Sequence, residues 1–260
     1  METKEEIVNN WLTRYTGLEL EKFGQYILLT NFRKYVELFA EKFQVSIVGE
    51  DHTMINATAD NITIINFSMG SPMAATIMDL LTAIHPKAVL FLGKCGGLKN
   101  SNTLGDFILP IAAIRGEGTS NDYMPPEVPA LPSFSLQQAT SSAIREFGFN
   151  YRTGTIYTTN RRVWEYDTAF KQYLTKIRAL GVDMETATLF TVGFSNHIST
   201  GALLMVSDRP MVAEGIKTTE SDQQVTKDFA PIHLEIGIAA LRKLIDKHLE
   251  IKHLRFENEY

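Results

Sequence analysis

Ala88-Val89-Leu90-Phe91-Leu92-Gly93-Lys94-Cys95-Gly96-Gly97-Leu98 opens as an unbroken apolar run and ends among glycines. The first five residues fit a strand buried on both faces, the kind that parallel sheets contain. The glycines that follow are strong punctuation, so residues 93–97 are expected to form a loop at the strand's carboxyl end.

Moving outward, β-like runs alternate with helical periods. Toward the amino end, Ile62–Ser68 reads as a strand, and Gly70-Ser71-Pro72 opens a helix reaching Ile84, where a proline's missing N–H costs nothing. Tyr26–Leu29 is a short strand with a helix near Phe32–Phe43. Gln44–Gly49 and Thr53–Thr58 are expected to pair as a hairpin across Glu50-Asp51-His52. Toward the carboxyl end, Asp106–Ile114 is a strand, and Gly116–Ser135, rich in Pro, Gly and Ser, is a long loop. A helix at Leu136–Phe147, a strand near Thr153–Thr158 and a helix at about Thr168–Leu180 follow. Gly181–Met184 ends a strand, Glu185–Asn196 is a helix and Gly201–Ser207 a strand. In the last helix Val225, Phe229, Ile232, Ile236 and Ala239 recur at spacings of four and three, with Ser221 and Gln224 as a capping box. Such alternation predicts a three-layer α/β/α domain with a mixed, largely parallel sheet.

The 260 residues allow one large domain with a buried core. Hydrophobic residues make up 44% and charged residues 21%, an ordinary globular composition. A net charge of −5 leaves no basic footprint for nucleic acid or an anionic membrane, so any phosphate site must be built locally. Cys95 is the one cysteine, which rules out an intrachain disulfide. METKEEIVNN lacks the apolar run of a signal peptide, and the long uncharged stretches are broken by Gly, Pro and Asn. A cytoplasmic protein without a membrane span is expected.

Ligands of α/β sheets bind beyond the carboxyl ends of strands, and four segments place unusual residues there. Gly93-Lys94-Cys95-Gly96-Gly97 lets backbone N–H groups approach an anion or sugar and adds a cation; a plain structural turn fits it equally well, with Cys95 a small packing residue. Asp183-Met184-Glu185 either favours a helix N-terminus through the dipole or offers Glu185 to the vicinal hydroxyls of a ribose, with Met184 a soft apolar wall. Asp208, after an apolar strand, is costly unless solvated, paired or functional; it is a candidate general acid, or a partner of Arg209. Arg33, in the first turn of a helix, suits that position only with an anion nearby, unless it is simply solvated.

Taken in order, these segments resemble the nucleoside phosphorylase and nucleosidase superfamily, from Tyr26 to about Leu244. The carriers are Leu29–Arg33, the Met69-Gly70-Ser71-Pro72 helix opening, Phe91–Leu98, Met184-Glu185 and Ser207-Asp208. Gly93–Leu98, Tyr157-Thr158-Thr159-Asn160-Arg161-Arg162, Ser207–Met211 and Glu214–Thr218 are most similar to the catalytic domain of the AMP nucleosidases. The resemblance implies that 1–260 is a single catalytic domain without the N-terminal regulatory domain of longer relatives. It also implies a homo-oligomer, commonly a hexamer. Asp208 would act on the purine and Glu185 would hold the ribose hydroxyls, with no cofactor and no metal. The substrate is expected to be a small-molecule purine nucleotide, its phosphate met by cations drawn from Arg33, Lys94, Arg161, Arg162, Arg209 and Lys217; phosphate itself is a further candidate ligand. Trp164 would stack on the base or pack in the core. Related phosphorylases carry arginine near Phe91 and serine or threonine near Lys94, and this displaced charge implies water as the nucleophile. The basic residue that related phosphorylases borrow from a neighbouring subunit has no obvious counterpart; His52 is either a substitute or a surface histidine. A phosphorolytic purine nucleoside phosphorylase, a methylthioadenosine nucleosidase and a non-catalytic nucleotide sensor are the competing readings.

Overall fold

The strands expected from apolar runs are central because both of their faces are covered. In the computed structural model, which describes residues 2–246, β1 (Tyr26–Thr30), β2 (Asn56–Ala59), β3 (Ile62–Asn66) and β4 (Ala88–Gly97) precede β5 (Phe107–Gly116), β6 (Tyr151–Thr159), β7 (Gly181–Asp183) and β8 (Thr200–Asp208). The helices are α1 (Lys4–Thr16), α2 (Arg33–Phe43), α3 (Ser71–Leu80), α4 (Phe134–Glu146), α5 (Thr168–Lys176), α6 (Thr186–Ser195) and α7 (Thr219–Asp246). The part of the expected 1–260 domain beyond residue 246 lies outside the described residues.

Side chains alternate across the sheet, as strand geometry requires. Val89 and Phe91 of β4, Ile27 and Leu29 of β1, and Leu204 and Val206 of β8 join the layer of α1, α3 and α6. Leu90, Leu92, Leu28, Leu203 and Met205 join the layer of α2, α4 and α7. Three layers result, and their two apolar interfaces supply the main burial of the fold.

The sheet order is β2-β3-β1-β4-β7-β6-β5-β8, and β8 returns to pair with β4. The last five strands therefore close on themselves. Parallel pairs run β3–β1–β4–β8 and β5–β6–β7, while β2–β3, β4–β7 and β5–β8 are antiparallel.

Residues 93–97 differ from the sequence reading. They do not form a loop; β4 runs through them, paired with β8 as far as Gly96 and with β7 at Gly96 and Gly97. Gly93 is a packing glycine, since a Cβ there would stand 2.4 Å from the Phe91 ring and 2.9 Å from Leu204. Its lack of a side chain lets the strand continue against a fully buried aromatic ring.

Three other elements also differ. The expected hairpin reduces to a single bridge between Val48 and Asn56. The real hairpin joins β2 to β3 through Asp60 and Asn61, both at positive φ (50° and 62°), the pattern of a type I′ turn. α1 was not foreseen, although Thr3 and Glu6 form a capping box and Gly17 closes the helix in the left-handed region. α7 begins at Thr219, two residues before the expected cap; Ser221 N donates to Thr218 Oγ1 and Thr218 N to Ser221 Oγ. Among the described residues, no helix is long and apolar enough to cross a membrane.

His233, on α7, is fully buried between layers. The Leu203 carbonyl can only accept, so His233 Nε2 donates to it at 2.9 Å. Nδ1 is then an acceptor, and Tyr35 Oη donates to it at 2.8 Å. Burial pushes this imidazole down to about 4. The unfolded chain thus takes up a proton before the native one, and stability present above pH 6.5 is lost as pH falls toward about 4, by roughly 3 kcal/mol. Urea unfolding across pH 4–7 should show this loss in the wild type, and a flatter profile in His233→Gln; parallel profiles would remove His233 as the source.

Candidate active site

The carboxyl ends of β1, β4, β6, β7 and β8 meet around an open cleft. Its walls come from Asn31 and Phe32 after β1, Lys94–Gly96 in β4, Thr159 at the end of β6, Asp183 ending β7 with Met184 and Glu185 after it, and Ser207-Asp208 closing β8.

Two carboxylates lie in the wall where β7 meets α6. Asp183 is pinned to that junction: Thr158 Oγ1 donates to it at 2.7 Å, Thr186 N at 2.8 Å, and the Thr186 hydroxyl also donates. Thr158 Oγ1 in turn accepts from Ala187 N at 2.9 Å. Glu185, 2% exposed, accepts from Gly70 N at 2.7 Å and Met184 N at 3.2 Å. Gly70 sits at φ +95°, a conformation that side chains resist, so glycine is what brings this N–H to the acid. Ser71 Oγ donates to the Met184 carbonyl at 2.6 Å, tying the opening of α3 to the opening of α6. Burial, then the charge of Asp183, pushes Glu185 up to about 8. Asp183 is itself raised, chiefly by burial.

Asp208 reaches the cleft through an irregularity in β8. Cys95 pairs with Val206 and Gly96 with Asp208, leaving Ser207 as an extra residue. Such a bulge lets consecutive side chains turn to one side, and Ser207 and Asp208 both line the cleft. Ser207 Oγ donates to Asp208 Oδ1 at 2.7 Å. Lys217 Nζ is 3.6 Å from the same oxygen. Asp208 also borders a second cavity, with Leu104, Arg209, Val212 and Ile216.

The cations are distributed unevenly. Lys94 lines the cleft, yet its ammonium donates to Asp222 and Thr226 on α7; burial pulls its pKa down against the pull of Asp222. Arg161 and Arg162 stand at the rim, paired with Asp167 and Glu165. Arg33 does not line the cleft. Its guanidinium binds Glu37 and, with both oxygens engaged, Glu50, so local carboxylates supply the anion that its position demanded. Arg209 faces the second cavity and donates to the Asn100 carbonyl at 3.4 Å. His52 lies on an exposed turn, its ring hydrogen-bonded to the Arg14 carbonyl.

Cys95 is buried and its thiol is pushed well up by burial. Trp164 is 4% exposed and packs in a small core with Leu98, Tyr157 and Leu174, edge-on against Phe170, while also bordering the cleft. Asn31, Thr159, Glu165 and Asp222 also line the cleft. Asn31 and Thr159 lay inside the quoted motifs. Asp222 had no local signal, because its partner Lys94 is 128 residues away.

Residues 17–242 match the Phosphorylase superfamily. The chain belongs to that superfamily. Its sheet and helices have the nucleoside phosphorylase-like arrangement. Among superfamily members it is similar to a crystal structure of AMP nucleosidase from Bacteroides thetaiotaomicron VPI-5482, at 61% identity and a TM-score of 0.84, over 94% of this chain and 99% of that one. It is 29% identical to the AMP nucleosidase of Escherichia coli K12 over 88% of its own length. The chain spans 57% of that relative. A uridine phosphorylase structure from Vibrio fischeri ES114 shares the superfamily fold at 22% identity and a TM-score of 0.77, covering 87% of this chain and 94% of that one.

Proposed function

We propose that this chain hydrolyses the N-glycosidic bond of AMP, giving adenine and ribose 5-phosphate. The observation that carries this reading is the 61% identity to the Bacteroides AMP nucleosidase, spanning a cleft that sets Asp208, Glu185 and several cations around one space. Cleavage passes through an oxocarbenium-like ribosyl centre, and the site must favour that charge and the departing base. Asp208 hydrogen-bonds or protonates the purine as it leaves. The adjoining Lys217, at 3.6 Å, stabilises its carboxylate once the proton has gone. Glu185 accepts from the ribose hydroxyls, and in its ionised form favours the cationic sugar. Arg161, Arg162, Lys94 and Lys217 are the cleft cations available to a phosphate.

The test offers AMP, adenosine and methylthioadenosine, with and without inorganic phosphate, and identifies the sugar product. Ribose 5-phosphate from AMP without added phosphate is expected. Ribose 1-phosphate from adenosine, only with phosphate, would overturn the proposal in favour of phosphorolysis, and tight AMP binding without adenine release would do so in favour of a sensor.

The proposal includes a cytoplasmic homo-oligomer. An apolar groove lined by Leu131, Phe134, Phe190, Phe194 and Ile198 supports the oligomer, with Leu131, Phe134 and Phe194 each about half exposed. Light scattering should give a multiple of 29.2 kDa; a monomeric mass at micromolar concentration would refute it.

A further inference from the structure

Lys94, Asp222, Lys217 and Asp208 form a chain of alternating charge along one side of the cleft. Lys94 Nζ donates to Asp222 Oδ1 at 2.8 Å and to Thr226 Oγ1 at 2.6 Å, and lies 4.3 Å from the centre of the Phe32 ring. Lys217 Nζ is 3.4 Å from that same Asp222 oxygen and 3.6 Å from Asp208 Oδ1. The Lys94 side chain is 2% exposed and that of Asp222 is 34% exposed.

A buried ammonium without a counter-ion is costly, so an anion must accompany Lys94 when the cleft holds no ligand. Asp222 is that anion. It comes from the first turn of α7 rather than from the sheet. Two ammonium groups converge on one of its oxygens, leaving that oxygen shared. A phosphate group carries about two charges and three acceptor oxygens, so it can meet both ammonium groups without sharing.

We propose that Asp222 is a resident counter-ion that is exchanged for a phosphate group, nucleotide-borne or free, at Lys94 and Lys217. This rests on the reading that the cleft takes a purine nucleotide. Asp222 thereby sets the cleft's selectivity: an uncharged nucleoside cannot replace it, whereas a phosphate can. It also holds the first turns of α7 against β4 until the exchange occurs.

The test compares wild type with Asp222→Asn, which keeps the shape and removes the competing charge. Calorimetry with inorganic phosphate and the KM values for AMP and adenosine are measured, with thermal melts to establish folding. Phosphate affinity is expected to rise, or KM for AMP to fall, on the order of tenfold, while KM for adenosine shifts by much less. A gain confined to AMP assigns the exchanged anion to the nucleotide, and a gain confined to inorganic phosphate assigns it to the free ion. A folded variant with unchanged or weaker affinity for both overturns the proposal. Hydrogen exchange on the wild type gives a reading independent of the variant: phosphate should speed exchange over residues 219–226, and unchanged or slower exchange there counts against the proposal. Adenine release by the wild type is scored separately. Its absence would remove the AMP reading while leaving the phosphate titration to decide Asp222.

Discussion

Asp208→Asn is expected to slow adenine release from AMP by on the order of 10²-fold or more, the usual cost of losing a general acid. The asparagine keeps Ser207 Oγ as a donor and preserves the bulge that aims the side chain. Binding should therefore suffer much less than turnover, and kcat should fall with little change in KM. Near-normal turnover by the folded variant would take Asp208 out of the mechanism. The same variant leaves Lys217 with Asp222 as its remaining close carboxylate partner. A loss in kcat with an unchanged melting temperature would separate chemistry from folding.

Glu185→Gln should have an effect of similar size and a different signature. Glu185 is pushed up to about 8 by burial and by Asp183. The native chain therefore keeps a proton that the unfolded chain gives up near 4.5, and the native state loses stability as pH rises from about 4.5 to about 8. Glutamine carries no charge to bury, so the variant should be more stable than wild type at pH 8, and the gap should close toward pH 4.5. Turnover should move the other way. If ionised Glu185 favours the cationic sugar, wild-type kcat/KM rises with pH up to about 8. In Glu185→Gln that rise should vanish and kcat/KM should drop roughly 10²–10³-fold, as for a lost electrostatic stabiliser. A variant that is less stable at pH 8, or that retains the wild-type pH profile, contradicts the assigned role.

Asp208 stood out because it interrupts an apolar strand. Glu185, an acid where a strand hands over to a helix, breaks no local rule, and its burial is seen only in the fold. The central strands were legible because β1 and β4 are apolar on both faces. The glycines of β4 misled because punctuation and close packing use the same residue, and the difference lies in Phe91 and Leu204, the second of which is far away in sequence. The hairpin forms at Asp60-Asn61 because that pair suits left-handed backbone. Arg33 looked like an anion ligand because Glu50, beyond the far end of α2, could not be seen to neutralise it. Asp222 was invisible for the same reason, on a larger scale. Ion pairs between distant segments leave no period and no motif.

The extra residue in β8 has one more consequence. Val206, Ser207 and Asp208 reorient the strand's last step by backbone alone, while the paired ladder of β4 and β8 stays intact up to Cys95. On the proposed reading, base preference is written in a short coda outside the grammar of the sheet. An enzyme that exchanged a purine for another leaving group would need to edit only those final letters, and the architecture beneath would not have to be renegotiated.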